Sequence, residues 1–174
     1  LTNGTGQGLG GGLAVLTSPK AIIKNNTITH NEVQSNAGMS VRCYGGGVVL
    51  QNQNEETVFS NNYVAENKAL ANSICWGAGV TLWSYAIPCS PYLNNNIIIN
   101  NTGAINGGGI YIGGLLLNKP RLFNNTITQN SAITGGGVYS NGSNSLIKNS
   151  IIWNNGTGIN SVGGVDTIEY SDVQ

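Results

Sequence analysis

The chain has 174 residues, 40% of them hydrophobic and only 8% charged, with seven basic and seven acidic side chains in balance; an average soluble domain carries roughly a quarter charged residues. This length holds one core rather than two ordinary domains, so residues 1–174 are read as a single domain. The hydrophobic share excludes disorder, the neutral balance leaves no electrostatic footprint for nucleic acid, and no apolar run approaches the ~20 residues of a membrane-spanning helix.

In chain order the first landmark is Gly10-Gly11-Gly12-Leu13, followed by Ile23 and the run Asn25-Asn26-Thr27-Ile28-Thr29-His30-Asn31. The same succession returns at Gly45-Gly46-Gly47-Val48, Phe59 and Asn61 to Asn67, then at Gly77-Ala78-Gly79-Val80, Leu93 and Asn95 to Asn101. It returns again at Gly107-Gly108-Gly109-Ile110, Leu122 and Asn124 to Asn130, and at Gly135-Gly136-Gly137-Val138, Ile147 and Asn149 to Asn155. A decayed sixth copy is read at Val162-Gly163-Gly164-Val165, so the repeat shortens from 35 residues to 27.

Between these landmarks, short runs alternate apolar with polar residues and are bounded by Gly and Asn, a strand pattern without helical periodicity. One unit cannot bury its own apolar face, so units must stack in parallel about 4.8 Å apart, with like positions superposed. The expected inward columns are Leu13, Val48, Val80, Ile110, Val138 and Val165; Ile28, Val64, Ile98, Ile127 and Ile152; and Ile23, Phe59, Leu93, Leu122 and Ile147. Glycine triplets suit sharp coil corners. No following helix or lysine supports a phosphate-binding loop. Asn31, Asn67, Asn101, Asn130 and Asn155 are expected to form an asparagine ladder, because Asn tolerates left-handed turns and its amide bonds to the Asn above and below. The segments 51–57 and 84–91 vary in length and composition and read as projecting loops.

Gly109-Ile110-Tyr111, Gly137-Val138-Tyr139, the Asn-Asn-Thr-Ile-Thr runs and Asn149-Ser150-Ile151-Ile152-Trp153-Asn154-Asn155 resemble the right-handed parallel β-helix repeats of the pectate-lyase-like superfamily. The resemblance is greatest to bacterial and archaeal surface proteins and polymorphic outer-membrane proteins. It covers nearly the whole chain and implies an all-β fold, a right-handed parallel β-helix solenoid of about six coils. It does not choose among lyases, hydrolases, adhesins and passive scaffolds.

Enzymes of that superfamily typically cluster acidic residues beside Arg or Lys. Here the acids are Glu32, Glu55, Glu56, Glu66, Asp166, Glu169 and Asp172, and they share no column. Glu32 and Glu66 are the pair able to meet across loops, with no base or cation read beside them. His30 is the sole histidine and lacks the partners a metal site or a Ser–His–acid triad needs, and Arg42 and Arg121 have no acidic cluster. No catalytic residue, metal ligand or cofactor is therefore assigned. Trp76, Trp83, Tyr85, Tyr92 and Trp153 are candidates for stacking on surface glycans, the alternative being stabilising cross-strand ladders; Tyr44 and Trp76 each directly precede a triplet and are expected to stack as neighbours. Thr27, Thr29, Thr126 and Thr128 resemble a flat ice-binding face, but Tyr63, Ala65, Ile97 and Ile99 break the array.

Cys43 and Cys75 each precede a triplet by two residues, so in register they stack at a separation that suits a disulfide. A Cys75–Cys89 bridge and three buried thiols are the competing expectations. Both ends of the chain read as uncapped, from which two explanations follow: neighbouring coils in a longer chain, or copies stacked head to tail into a filament. The expectation is a non-catalytic extracellular or cell-surface scaffold or adhesin associating with itself end to end; a polysaccharide-binding or polysaccharide-cleaving module is the alternative.

Overall fold

A computed structural model describes residues 5–18, 20–34, 42–70, 74–115 and 117–174. The described chain winds through six coils of short strands, every pair of them parallel. Sheet 1 follows the glycine corners: Leu13–Leu16, Val48–Gln51, Val80–Ser84, Ile110–Gly114, Val138–Asn141 and Ile159–Val162. Sheet 2 contains Ile22–Lys24, Val58–Ser60, Tyr92–Asn94, Arg121–Phe123, Leu146–Lys148 and Thr167–Glu169. Sheet 3 contains Thr27–Thr29, Tyr63–Ala65, Ile97–Ile99, Thr126–Thr128, Ile151–Trp153 and Asp172–Val173. Two smaller sheets complete the circuit: sheet 4 (Thr5–Gln7, Glu32–Gln34, Lys68–Leu70) and sheet 5 (Cys43–Tyr44, Cys75–Trp76, Ala104–Asn106, Ala132–Thr134).

Alternation along each strand sends one set of side chains inward. Val48, Val80, Ile110 and Val138 from sheet 1, Phe59, Leu93, Leu122 and Ile147 from sheet 2, and Ile28, Val64, Ile98, Ile127 and Ile152 from sheet 3 form the main core. A smaller core of Val33, Cys43, Ala69, Cys75, Ala78 and Ala104 lies between sheets 4 and 5. The two short sheets can approach closely because these side chains are small.

The inward columns follow the sequence register through five coils and depart from it in the sixth. Val138 pairs with Ile159, not Val165, which is 72% exposed. Coils shorten progressively: successive ladder asparagines are 36, 34, 29 and 25 residues apart, and the serines of the last step 21. The sixth corner is therefore Gly156-Thr157-Gly158. Thr157 is tolerated at its centre because its hydroxyl accepts a hydrogen bond from the Gly136 N–H at 2.7 Å. Gly163 instead turns the loop that follows Ile159–Val162.

Candidate functional site

All five predicted ladder asparagines meet. The Oδ1 atoms of Asn67, Asn101, Asn130 and Asn155 each accept from both the backbone N–H and the Nδ2 of the asparagine one coil earlier, at 2.9–3.1 Å. Each Nδ2 of these four also donates to a sheet 3 carbonyl: Ile28, Val64, Ile98 or Ile127. A second ladder, not singled out from the sequence, runs through Asn26, Asn62, Asn96, Asn125, Ser150 and Ser171. Its signal was the second Asn of the pair that opens each run, Asn25-Asn26, Asn61-Asn62, Asn95-Asn96 and Asn124-Asn125. The structure also separates two roles that the sequence reading gave to one residue. Left-handed φ falls on the residue before each ladder position, as at Asn61 (55°), Glu66 (57°), Asn95 (55°) and Gln129 (56°).

Cys43 and Cys75 are in register on sheet 5, with Cα atoms 4.5 Å apart, and form the disulfide. Cys89 is buried and free, its thiol donating to the Leu50 carbonyl at 3.1 Å, which excludes the Cys75–Cys89 alternative and the three-thiol one. Burial pushes the Cys89 thiol up to about 12, outweighing its backbone hydrogen bonds. Native protein at pH 8 is expected to leave iodoacetamide unreacted; unfolding should expose one thiol and reduction two more, by intact mass. The bridge spans 32 residues, so reducing it should lower stability by roughly 3 kcal/mol, read as a lower urea midpoint.

Trp76 and Trp83 come together with Tyr44, the expected stacking neighbour of Trp76, and with two tyrosines that were not singled out, Tyr111 and Tyr139. The first glycine of each of the first five corners is left-handed, and an added Cβ at Gly107 or Gly135 would lie 2.8 Å from the Cβ of Tyr111 or Tyr139. This tight bend folds the outward side chains of sheets 5 and 1 toward one another. Trp76 and Tyr111 stack at 5.3 Å and 4°, and Tyr111 and Tyr139 at 5.6 Å and 7°. Tyr44 packs on Trp83 at 4.7 Å, and the Arg42 guanidinium lies 5.1 Å from the Trp76 ring centre. Burial raises the Tyr111 phenol above its ordinary range, opposed by a hydrogen bond from Asn141. Ring packs on ring along the coil axis, so this column ties coil to coil. Tyr85 lies apart on the 85–91 loop, Tyr92 packs on sheet 2 against Phe123 and Arg121, and Trp153 is exposed on sheet 3.

Parallel coils with in-register columns, inward asparagine ladders and glycine corners agree with the comparison to known families, in which residues 2–136 match the model described as the right-handed β-helix region. The chain belongs to that family. No curated protein and no solved structure matches it.

Among the described residues, two hollows of this β-helix gather polar and charged side chains. The smaller, about 230 Å³, is lined by His30, Asn31, Glu32, Glu66 and Lys68. His30 and Glu66, both in left-handed corners, pair at 2.5 Å between Nε2 and Oε2. Glu32 is in register with Lys68 and accepts a hydrogen bond from Gln34. This corrects the expectation that Glu32 and Glu66 stand without base or cation: parallel stacking sets His30 over Glu66 and Glu32 over Lys68. Both members of the His30–Glu66 pair are about half exposed, where such a pair contributes little to stability. Among the described residues no group of three His, Cys, Asp or Glu side chains is placed to hold a metal. The larger hollow, a groove of about 630 Å³, lies among the loops of three successive coils and is lined by Asn54, Glu55, Glu56, Ile87, Pro88, Ser90, Leu117 and Lys119. Arg121 reaches the Glu55 carbonyl near it, at 3.1 Å, and lies over Tyr92.

Proposed function

We propose that this β-helix is an extracellular structural or adhesive scaffold whose coils associate end to end. The observation that carries the reading is that the fold is bonded coil to coil by the Cys43–Cys75 disulfide, the two ladders and the aromatic column, which suits a load-bearing stalk in an oxidising compartment. Coil 6 repeats the strands of the three main sheets as Ile159–Val162, Thr167–Glu169 and Asp172–Val173, so a further parallel coil, of this chain or of another copy, adds in the same register. Between copies, head-to-tail joining of unlike ends propagates without closing. Sedimentation velocity and negative-stain microscopy over a concentration series test this. Linear particles that shorten with Ile168→Lys are expected; a monodisperse monomer at high concentration overturns the reading.

A second reading, polysaccharide binding, is favoured by the groove, whose size and mixture of Ile87, Pro88 and Leu117 with polar and charged side chains suit an extended ligand. Saturable retention on insoluble pectin or alginate, lost with Leu117→Asp, is its signature.

A further inference from the structure

Sheet 3 presents an outer face that neither ladder uses. Its two outward columns read Thr27, Tyr63, Ile97, Thr126, Ile151 and Thr29, Ala65, Ile99, Thr128, Trp153 through coils 1 to 5. No side chain in these columns carries a charge until Asp172 in coil 6. Large apolar groups stand open to solvent here: Tyr63 at 40%, Ile97 at 44%, Ile151 at 49% and Trp153 at 50% exposure. The outer columns of sheet 2, by contrast, carry Lys24, Arg121, Lys148 and Glu169.

We infer that this face pairs with the same face of a second copy, about a two-fold axis running along the coil 3 strand Ile97–Ile99. Rotation about a strand-directed axis in the plane midway between two such sheets turns the faces together, keeps each column opposite itself and reverses coil order. Small residues then meet large ones in three pairs, Thr27 with Ile151, Thr29 with Trp153 and Thr126 with Tyr63; Ala65, covered by its own neighbours, lies opposite Thr128, and Ile97 and Ile99 meet their own copies. The rims agree as well. One rim is Asn25, Asn61, Asn95, Asn124 and Asn149, amide against amide; on the other His30 faces Asn154, Glu66 faces Gln129 and Asn100 faces itself, so no like charges oppose. Such a self-complementary patch is what an isologous contact requires, and two sheet faces interdigitate at about 10 Å.

Five strands about 4.8 Å apart, roughly 17 Å wide, give a footprint of about 350 Å². A stable pair buries about 800 Å² per partner, so a single contact is weak and reversible. Where coils join end to end the contact repeats along both partners and strengthens by avidity, which would bundle filaments side by side. The lateral contact itself does not depend on that joining.

The test is charge reversal at the dyad, by sedimentation equilibrium in low salt on protein carrying Ile168→Lys, so that end-to-end growth is blocked. Ile97→Lys and Ile97→Glu should each weaken pairing at least tenfold, while the equimolar mixture should recover it, because only a two-fold contact sets residue 97 against residue 97. Thr27→Glu mixed with Ile151→Lys gives the same recovery through the off-axis pair and serves if either Ile97 variant unfolds. Self-association of Ile97→Lys at the parental strength, or a mixture no tighter than its components, overturns the proposal. So does a parent that stays monomeric and instead pellets with an insoluble polymer through Ile97.

Discussion

Gly109→Ala is expected to cost roughly 3–5 kcal/mol, lowering the melting temperature by about 10–15 °C in a chain of this size. Gly109 is the third residue of its corner and lacks left-handed φ, so no backbone preference is at stake. The added Cβ would lie 2.6 Å from the Gly137 carbonyl oxygen of the next coil, 2.7 Å from Ile127 Cγ2 and 3.0 Å from Asn130 Nδ2. None of the three can withdraw. The carbonyl accepts from the Ile110 N–H at 2.9 Å, Ile127 is locked in the core, and Asn130 is held at both ends by the ladder. The same environment recurs at Gly12, Gly47, Gly79 and Gly137, each facing the carbonyl of the next coil and the ladder amide of its own. Gly156, where a Cβ meets only the Ser131 hydroxyl at 3.8 Å, is the matched control. Its substitution by Ala should change stability by less than about 0.5 kcal/mol. Thermal unfolding by circular dichroism separates the two; equal effects would mean that the corner yields.

The register of the first five coils was legible because a column repeats one chemical demand, and the demand shows when copies are aligned: Gly where a carbonyl leaves no room for Cβ, Ile or Val where the core is narrow, Asn where buried backbone needs a two-sided partner. The sixth coil was misread for the complementary reason. Its corner is Gly156-Thr157-Gly158, whose central hydroxyl substitutes for a feature that the triplet pattern sought, while Gly163 and Gly164 supplied a decoy. Sheets 4 and 5 lie between the ladder asparagine and the next glycine corner, where the segment shrinks from Asn31–Gly45 in coil 1 to Asn130–Gly135 in coil 5 and offers no fixed landmark, so the minor core of Val33, Ala69 and Ala104 went unseen. The aromatic column was half visible. Tyr44 and Trp76 share a position before the triplet, but Trp83, Tyr111 and Tyr139 follow it, and only the bend at the first glycine folds the two sets together. The His30–Glu66 pair was also in view, as two members of one column, once acids and bases are read together.

Asn101→Ala should be as damaging as any single truncation in the chain, at roughly 4–5 kcal/mol. Asn101 is fully buried. Its Oδ1 accepts from the Asn67 N–H at 3.0 Å and from Asn67 Nδ2 at 2.9 Å, and its Nδ2 donates to the Val64 and Ile99 carbonyls and to Asn130 Oδ1. Truncation leaves donors of coil 2 and an acceptor of coil 4 facing a hollow that a methyl group cannot fill. Each unsatisfied buried group costs about 1–3 kcal/mol, and the losses partly overlap because Asn67 and Asn130 keep other partners. Local backbone preference is not the cause, since the left-handed residue here is Asn100. Ser should do better than Ala: Ser150 serves in the second ladder, accepting from the Asn125 N–H at 3.1 Å and donating to the Lys148 carbonyl at 3.0 Å. Asp fits the space but has no N–H for Val64 or Ile99, and its charge would be buried without a cation, so it should be at least as destabilising as Ala at pH 7. Lowering the pH protonates that carboxylate and restores one donor. The Asp variant should therefore gain stability relative to the parent below pH 5, whereas the Ala variant should not. Urea midpoints at pH 7 and pH 4.5 check both the order, Asn above Ser above Ala, and the crossing of Asp with pH. An Asp variant that tracks Ala at both values would show the site to be solvated, and the ladder would then be a consequence of stacking rather than one of its causes.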